Sequence, residues 1–144
     1  MKKLFVLGLS LTALMAFEPK ASYAMSQFDA ALQVSGYADS IPMMAMHCDK
    51  KFNLPETKSA GIQWTERHQP LLDKADSVIA QSGGIPGFQK DMLDGIMKEQ
   101  ITSTVNNSEN PKQFCTDLGE KLNSGSLDLD RSPDFRQAIL ALTQ

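Results

Sequence analysis

Cysteine, tryptophan and tyrosine are scarce in this chain, which has two Cys, one Trp and two Tyr among 144 residues. Neither Cys-x-x-Cys nor Cys-x-x-Cys-His occurs, which argues against a dithiol redox motif and covalent haem attachment. The charge balance is slightly acidic, with 14 Lys and Arg against 17 Asp and Glu and a net charge of −3. Nonspecific nucleic-acid binding requires a basic surface, so we expect no nucleic-acid partner.

Catalytic and cofactor motifs are also absent. The sequence has no Gly-x-Ser-x-Gly, no His-Glu-x-x-His and no phosphate-binding glycine loop, and only two His residues are available as general bases. Asp128 and Asp130 alternate like the first ligands of a calcium loop. Counted from Ser126, however, the sixth position is Arg131 where a calcium loop has Gly, and the twelfth is Gln137 where it has Glu, which excludes an EF-hand. We therefore expect neither an enzyme nor a cofactor.

The N-terminus has the layout of a secretory signal peptide. Lys2 and Lys3 precede an apolar run over residues 4–17, and small residues follow at Ser22 and Ala24. This run is shorter than the roughly 20 residues that a membrane-spanning helix needs. We predict that residues 1–24 are cleaved and that the mature chain keeps no membrane anchor.

The expected mature chain, residues 25–144, is a single domain with 11 basic and 16 acidic residues and a net charge of −5. The short Lys-Lys start is typical of bacterial signal peptides, so we expect a periplasmic or secreted protein. Exported proteins meet oxidants, and an even pair of cysteines then favours one disulfide, Cys48–Cys115.

Hydrophobic spacing of three and four residues recurs along the chain, and no segment alternates as a strand does. We therefore predict an all-α fold, a compact bundle of five or six short helices joined by the disulfide. Capping residues and prolines predict where the helices begin and end. The first helix is expected from Ser26 to Gly36–Tyr37, the second from Pro42 to Phe52, and the third over 56–81 with a kink or break at Pro70. Later helices are expected to start near Pro86, Asn110–Pro111 and Ser132–Pro133. The helix after Pro86 has an apolar face of Phe88, Met92 and Ile96.

Trp64 and Arg67 are the candidate contact residues for a partner, because Trp and Arg are favoured anchors of interfaces. The alternative is structural: Trp64 packs in the core, and Arg67 pairs with a local acid such as Glu56 or with a neighbouring helix. His68 lies on the same apolar stripe, where a hydrogen-bonded core residue is the expected role.

Met43, Met46 and His47 form a second cluster, since they lie three and four residues apart on one helix face. Thioether and imidazole ligands suit Cu(I), which makes copper binding an alternative function. Methionines also fill gaps in cores, and Met44 is expected to do so beside Cys48. A third possibility is a carrier of a small apolar ligand lined by Met and Phe side chains.

Taken together, these observations favour a small exported helical protein that acts by binding another protein, in the envelope or outside the cell. An inhibitor, an immunity factor or an envelope adaptor would all fit this expectation.

Overall fold

The computed structural model describes residues 24–144. The helices are α1 (Gln27–Phe52), α2 (Pro55–Gln81), α3 (Gly87–Asn106), α4 (Pro111–Ser124) and α5 (Arg136–Thr143), with single 3₁₀ turns at Leu129–Arg131 and Pro133–Phe135. No strand occurs among these residues, and the predicted all-α bundle is confirmed. The predicted signal peptide, residues 1–24, lies outside the described residues except for Ala24.

α1 is one helix where the sequence predicts two. It continues through Gly36, Ser40 and Pro42, although a proline inside a helix removes one hydrogen bond and costs about 3 kcal/mol. Within this continuous helix, the hydroxyl of Ser40 donates to the carbonyl of Tyr37 at 2.6 Å. A buried stripe runs the whole length of the helix and consists of Ala30, Ala31, Val34, Ala38, Ile41, Ala45 and Cys48. Packing along this stripe outweighs the cost of the proline, and the predicted break at Gly36–Tyr37 is therefore wrong.

α2 also stays helical through its internal proline, Pro70, so the helix is not broken there. It begins at Pro55 and ends before Gly83 and Gly84, both of which have positive φ angles of 101° and 75°. The Gly84 N–H donates to the carbonyl of Ile79 at 2.9 Å, which closes the end of the helix.

The start of α4 follows the predicted cap. Asn110 Oδ1 accepts a hydrogen bond from the backbone N–H of Gln113 at 3.1 Å, and Pro111 occupies the first helical position. The last helix departs from the prediction, because Ser132 and Pro133 begin a 3₁₀ turn and α5 starts only afterwards.

The predicted disulfide joins α1 to α4. Cys48 and Cys115 are fully buried and their Cα atoms lie 5.5 Å apart. The core around them is built mainly by α1, α2, α4 and α5 and includes the large buried side chains Trp64, Leu122, Leu129 and Leu142. A disulfide in the core is compatible with an oxidising, exported location.

α3 lies at the edge of this core and beside α1. Only Ile101 and Val105, near its C-terminal end, are buried. Lys51, at the end of α1, donates a hydrogen bond to the side-chain oxygen of Asn106 at the end of α3. Within residues 24–144, no helix combines the length and hydropathy needed to cross a membrane.

Candidate functional site

Trp64 lies inside the protein and has no exposed surface. Its indole N–H donates to the carbonyl of Leu127 at 3.1 Å, and its ring packs against His68 and Tyr37 with centroids 4.2 and 5.9 Å away. Trp64 therefore offers no surface to a partner, contrary to the contact role expected for it. The alternative role in the core describes its position.

Arg67 is partly exposed but also has structural partners. Its Nη2 donates to the carbonyl of Leu122 at 2.7 Å and to Asp128 Oδ1 at 3.0 Å. The acid that pairs with it is Asp128 and not Glu56, the local candidate in the sequence. Arg67 therefore fixes the segment that follows α4.

His68 completes this arrangement. Its Nδ1 lies 2.7 Å from the carbonyl of Trp64, and its Nε2 lies 3.2 Å from the backbone nitrogen of Leu129. The tautomer with the proton on Nδ1 satisfies both contacts, since Nδ1–H donates and Nε2 accepts. We call Trp64, Arg67 and His68 the loop clamp, because all three bind the segment after α4.

A possible ligand cluster adjoins the loop clamp, since His68, Asp128 and Asp130 place one donor atom each within 4.8 Å of one another. The Nε2 lone pair of His68 already accepts the N–H of Leu129, and Asp128 already binds Arg67. Metal binding at Nε2 would break the contact with Leu129, and a metal at Asp128 would compete with Arg67 for that carboxylate. The cluster is therefore explained by the structure of the loop.

Met43, Met46 and His47 meet as the sequence predicts. They line a cavity of about 390 Å³ between α1 and α3, together with Lys50, Lys98, Ile101 and Thr102. Met44 packs against the core, also as predicted. We call this space the methionine cavity.

His47 in the methionine cavity has one unsatisfied ring nitrogen. Its Nε2 is buried and has no hydrogen-bond partner among the described residues. A buried polar atom without a partner costs about 1–3 kcal/mol. The imidazole is therefore the least satisfied polar group in this part of α1.

The predicted apolar face of α3 is largely exposed to solvent. Phe88, Met92, Leu93 and Ile96 are 46–72% exposed, and no residue from Gly87 to Gln100 is buried. The helical period of the apolar residues is correct, but within residues 24–144 these four side chains stay largely uncovered. We call these four residues the α3 patch.

An apolar groove adjoins the α3 patch where α1 and α3 meet. It has a volume of about 550 Å³. The residues that line it are Leu32, Ser35, Gly36, Asp39, Ser40, Ile85, Lys90, Leu93, Asp94, Ile96, Met97 and Gln100. Leu93 and Ile96 belong to both features, so the α1–α3 groove and the α3 patch form one continuous surface. Sequence reasoning missed this site because the groove joins segments about 60 residues apart.

The charge at this groove is negative. Lys90 Nζ lies 3.5 Å from Asp94 Oδ2, so its charge is shared with that carboxylate. Burial raises the pKa of Asp39 above its ordinary value; Lys90 opposes the rise, and the negative charges of Asp76 and Asp94 add to it. Asp39 and Asp94 outnumber Lys90 among the residues that line the groove, so its formal charge is negative.

Two surfaces formed by α1 and α3 remain as candidate sites. The α1–α3 groove lies toward the start of α3, and the methionine cavity lies toward its end. Comparison with protein-family models, curated proteins and solved structures finds no match to this chain.

Proposed function

We propose that this protein is an exported binding protein that holds a basic amphipathic helix of another protein in the α1–α3 groove. The exposed α3 patch is the observation that carries the proposal. Contiguous apolar residues on a surface typically mark interaction sites, and a groove beside an apolar helix face suits a helical ligand.

The apolar side chains supply the attraction. Burying a Leu, Ile, Met or Phe side chain completely contributes about 1.5–3 kcal/mol. Phe88, Met92, Leu93 and Ile96 all have surface to lose when a partner packs on them. An apolar stripe on the partner at helical spacing would match the spacing of this patch.

The acidic groups select the sign of the partner's charge. Asp39 lines the groove and Asp76 lies near it, with Ser35 Oγ 3.5 Å from Asp76 Oδ1. Burial is the main cause of the raised pKa of Asp39; a Lys or Arg placed here would favour the ionised carboxylate, as Lys90 does, and would offset the negative charges of Asp76 and Asp94. Complementary charge favours correct partners and faster association.

The location proposed for this activity is the periplasm or the outside of a bacterial cell. The predicted signal peptide and the disulfide both support export. An inhibitor, an immunity factor and an envelope adaptor all act by the kind of contact proposed here. The proposal assigns no catalytic residue and no cofactor.

Two synthetic helical peptides with the same apolar face test the proposal. One carries Lys at the positions beside that face and the other carries Glu. We expect the Lys peptide to bind at least tenfold more tightly in fluorescence anisotropy, and this preference to shrink at high salt. The double variant Leu93→Ser/Ile96→Ser should lose at least tenfold in affinity for the Lys peptide.

Leu140→Ser is the matched control, since Leu140 is 48% exposed on α5 and does not line the groove. It should bind as the wild type does. Equal binding of both peptides, or unchanged binding by the Leu93→Ser/Ile96→Ser variant, would contradict the proposal. A dimer of this chain that Ile96→Ser dissociates would contradict it as well, because a second copy would then cover the patch.

A further inference from the structure

The methionine cavity has a different chemistry from the groove. Two thioethers and one imidazole line it, contributed by Met43, Met46 and His47 of a single turn of α1. We propose that these three side chains form a Cu(I) site, which is independent of the partner-binding surface.

The donor set favours this ion. Thioether sulfur is a soft ligand that selects Cu(I), and imidazole binds copper as well. No carboxylate lines the cavity within the described part of the chain. Ca²⁺ and Mg²⁺ therefore lack the oxygen ligands that they require.

The geometry on α1 brings the three donors together without help from another helix. Residues three and four apart on a helix are surface neighbours, so Met46 and His47 both lie beside Met43. Methionine side chains have three flexible torsions and can adjust to an ion. Met46 is exposed, which gives the ion a path from solvent.

The state of His47 is the second observation for this site. Its Nε2 is buried without a hydrogen-bond partner among the described residues, so this nitrogen has no hydrogen bond there to lose when an ion binds. The terminal torsion of a histidine is broad and roughly two-fold. Either ring nitrogen can thus be turned toward an ion in the cavity.

Lys50 and Lys98 also line the cavity, and their charges oppose a cation. Both residues are exposed, so water screens their charges. At about 8 Å in water, the repulsion between two unit charges is comparable to the thermal energy. A monovalent ion feels half the repulsion that a divalent ion feels, which further favours Cu(I) over Zn²⁺.

Competition with a chromophoric Cu(I) chelator under anaerobic conditions tests the site. The reductant must not be a thiol, because reduction of Cys48–Cys115 would create two further copper ligands in the protein. A free-thiol assay before the titration checks that the disulfide is intact. The wild type should withdraw one equivalent of Cu(I) from the chelator.

Single variants identify the ligands. Met43→Leu, Met46→Leu and His47→Gln should each lower the Cu(I) affinity at least tenfold, whereas Met44→Leu should leave it unchanged, since Met44 packs against the core. Circular dichroism establishes that each variant is folded. In the wild type, the methyl NMR signals of Met43 and Met46 should shift when Cu(I) is added, and that of Met92 should not.

Absence of competition by the folded wild type would overturn the proposal. Cu(I) binding that survives in the double variant Met43→Leu/Met46→Leu would overturn it too. Peptide binding in the α1–α3 groove is measured without copper, so failure of one proposal does not decide the other.

Discussion

At the scale of single residues, most of the polar side chains described above form hydrogen bonds with the protein's own backbone. The loop clamp shows this, since Arg67 and His68 bind the segment after α4 and Trp64 donates to Leu127 O. Close packing between helices depends on single residues as well. A Cβ atom on Gly61 would lie 2.6 Å from the Cβ of Ala45 in α1.

Gly61→Ala tests this close approach of α1 and α2. Alanine favours helix by about 1 kcal/mol over glycine, but the added methyl has no room. We predict a net loss of about 1–2 kcal/mol in the free energy of unfolding, because the helices must move apart. Urea unfolding followed by circular dichroism measures it. Unchanged or increased stability would show that the helices separate at no cost.

Asp39 makes stability depend on pH. Burial raises the pKa of its carboxyl; Lys90 lowers it, and Asp76 and Asp94 raise it further. The folded state therefore holds this proton more tightly than the unfolded chain, so ionised Asp39 costs stability at neutral pH. As pH falls through the folded pKa, protonation removes that cost.

We accordingly predict that Asp39→Asn unfolds at a higher urea concentration than the wild type at pH 7. The difference should shrink toward pH 4, near the unfolded pKa of an Asp of about 3.9. Urea midpoints of both proteins at several pH values provide the comparison. A difference that stays constant over this range, or one that grows as pH falls, would contradict the assignment.

Most hydrogen-bond partners of the loop clamp lie far away in the sequence, which limits what the sequence alone can predict about single residues. The spacing of Trp64 and His68 predicts that they share an apolar stripe, and the hydrogen-bonded role expected for His68 is confirmed. The carbonyl that accepts from Trp64 belongs to Leu127, 63 residues later. Nothing in the local pattern identifies such a partner.

At the scale of helices, the spacing of apolar residues predicted the presence of each helix well. It did not predict which other helices would pack against it. Local breakers such as Gly36 and Pro42 predicted two helices, but long-range packing of α1 against the rest of the bundle makes one. In α3 the same period predicted an apolar face, and that face is largely exposed. Whether a helix face is covered depends on all other helices, so its exposure could not be read from α3 alone.

Gly95 in α3 is the counterpart of Gly61, because both are glycines inside a helix but only Gly61 lies close to a neighbouring helix. Among the described residues, a Cβ atom on Gly95 would meet no heavy atom within 4 Å, so no helix of residues 24–144 approaches α3 closely at this point. Gly95→Ala should therefore stabilise the protein by about 0.5–1 kcal/mol through helix propensity. Thermal unfolding measures the change. A loss of stability would mean that something packs on α3 at this point.

At the scale of the whole molecule, a disulfide bond links two helices of the core, and α3 lies at the edge of that core. The disulfide joins residues separated by 67 positions and connects α1 to α4. The sequence predicted this pairing because only two cysteines exist and both fall on apolar helix faces. Small domains rely on such bonds, because they bury a smaller fraction of their surface on folding.

Removal of this bond is the corresponding prediction. The double variant Cys48→Ala/Cys115→Ala should lose about 2–4 kcal/mol, since an open chain has more unfolded conformations. Its urea midpoint should fall below that of the oxidised wild type. The wild type with its disulfide reduced should give a similar midpoint. Equal midpoints for the oxidised wild type and the double variant would contradict a stabilising role.

The surface formed by the α3 patch and the α1–α3 groove is proposed to bind another protein. A photo-crosslinking amino acid placed in living cells at position 92, and at position 140 as the control, tests this binding. We expect an adduct from position 92 only, and mass spectrometry should place the crosslink in a basic amphipathic helix of a different protein. Equal adducts from both positions, or a crosslink to a second copy of this chain, would contradict it.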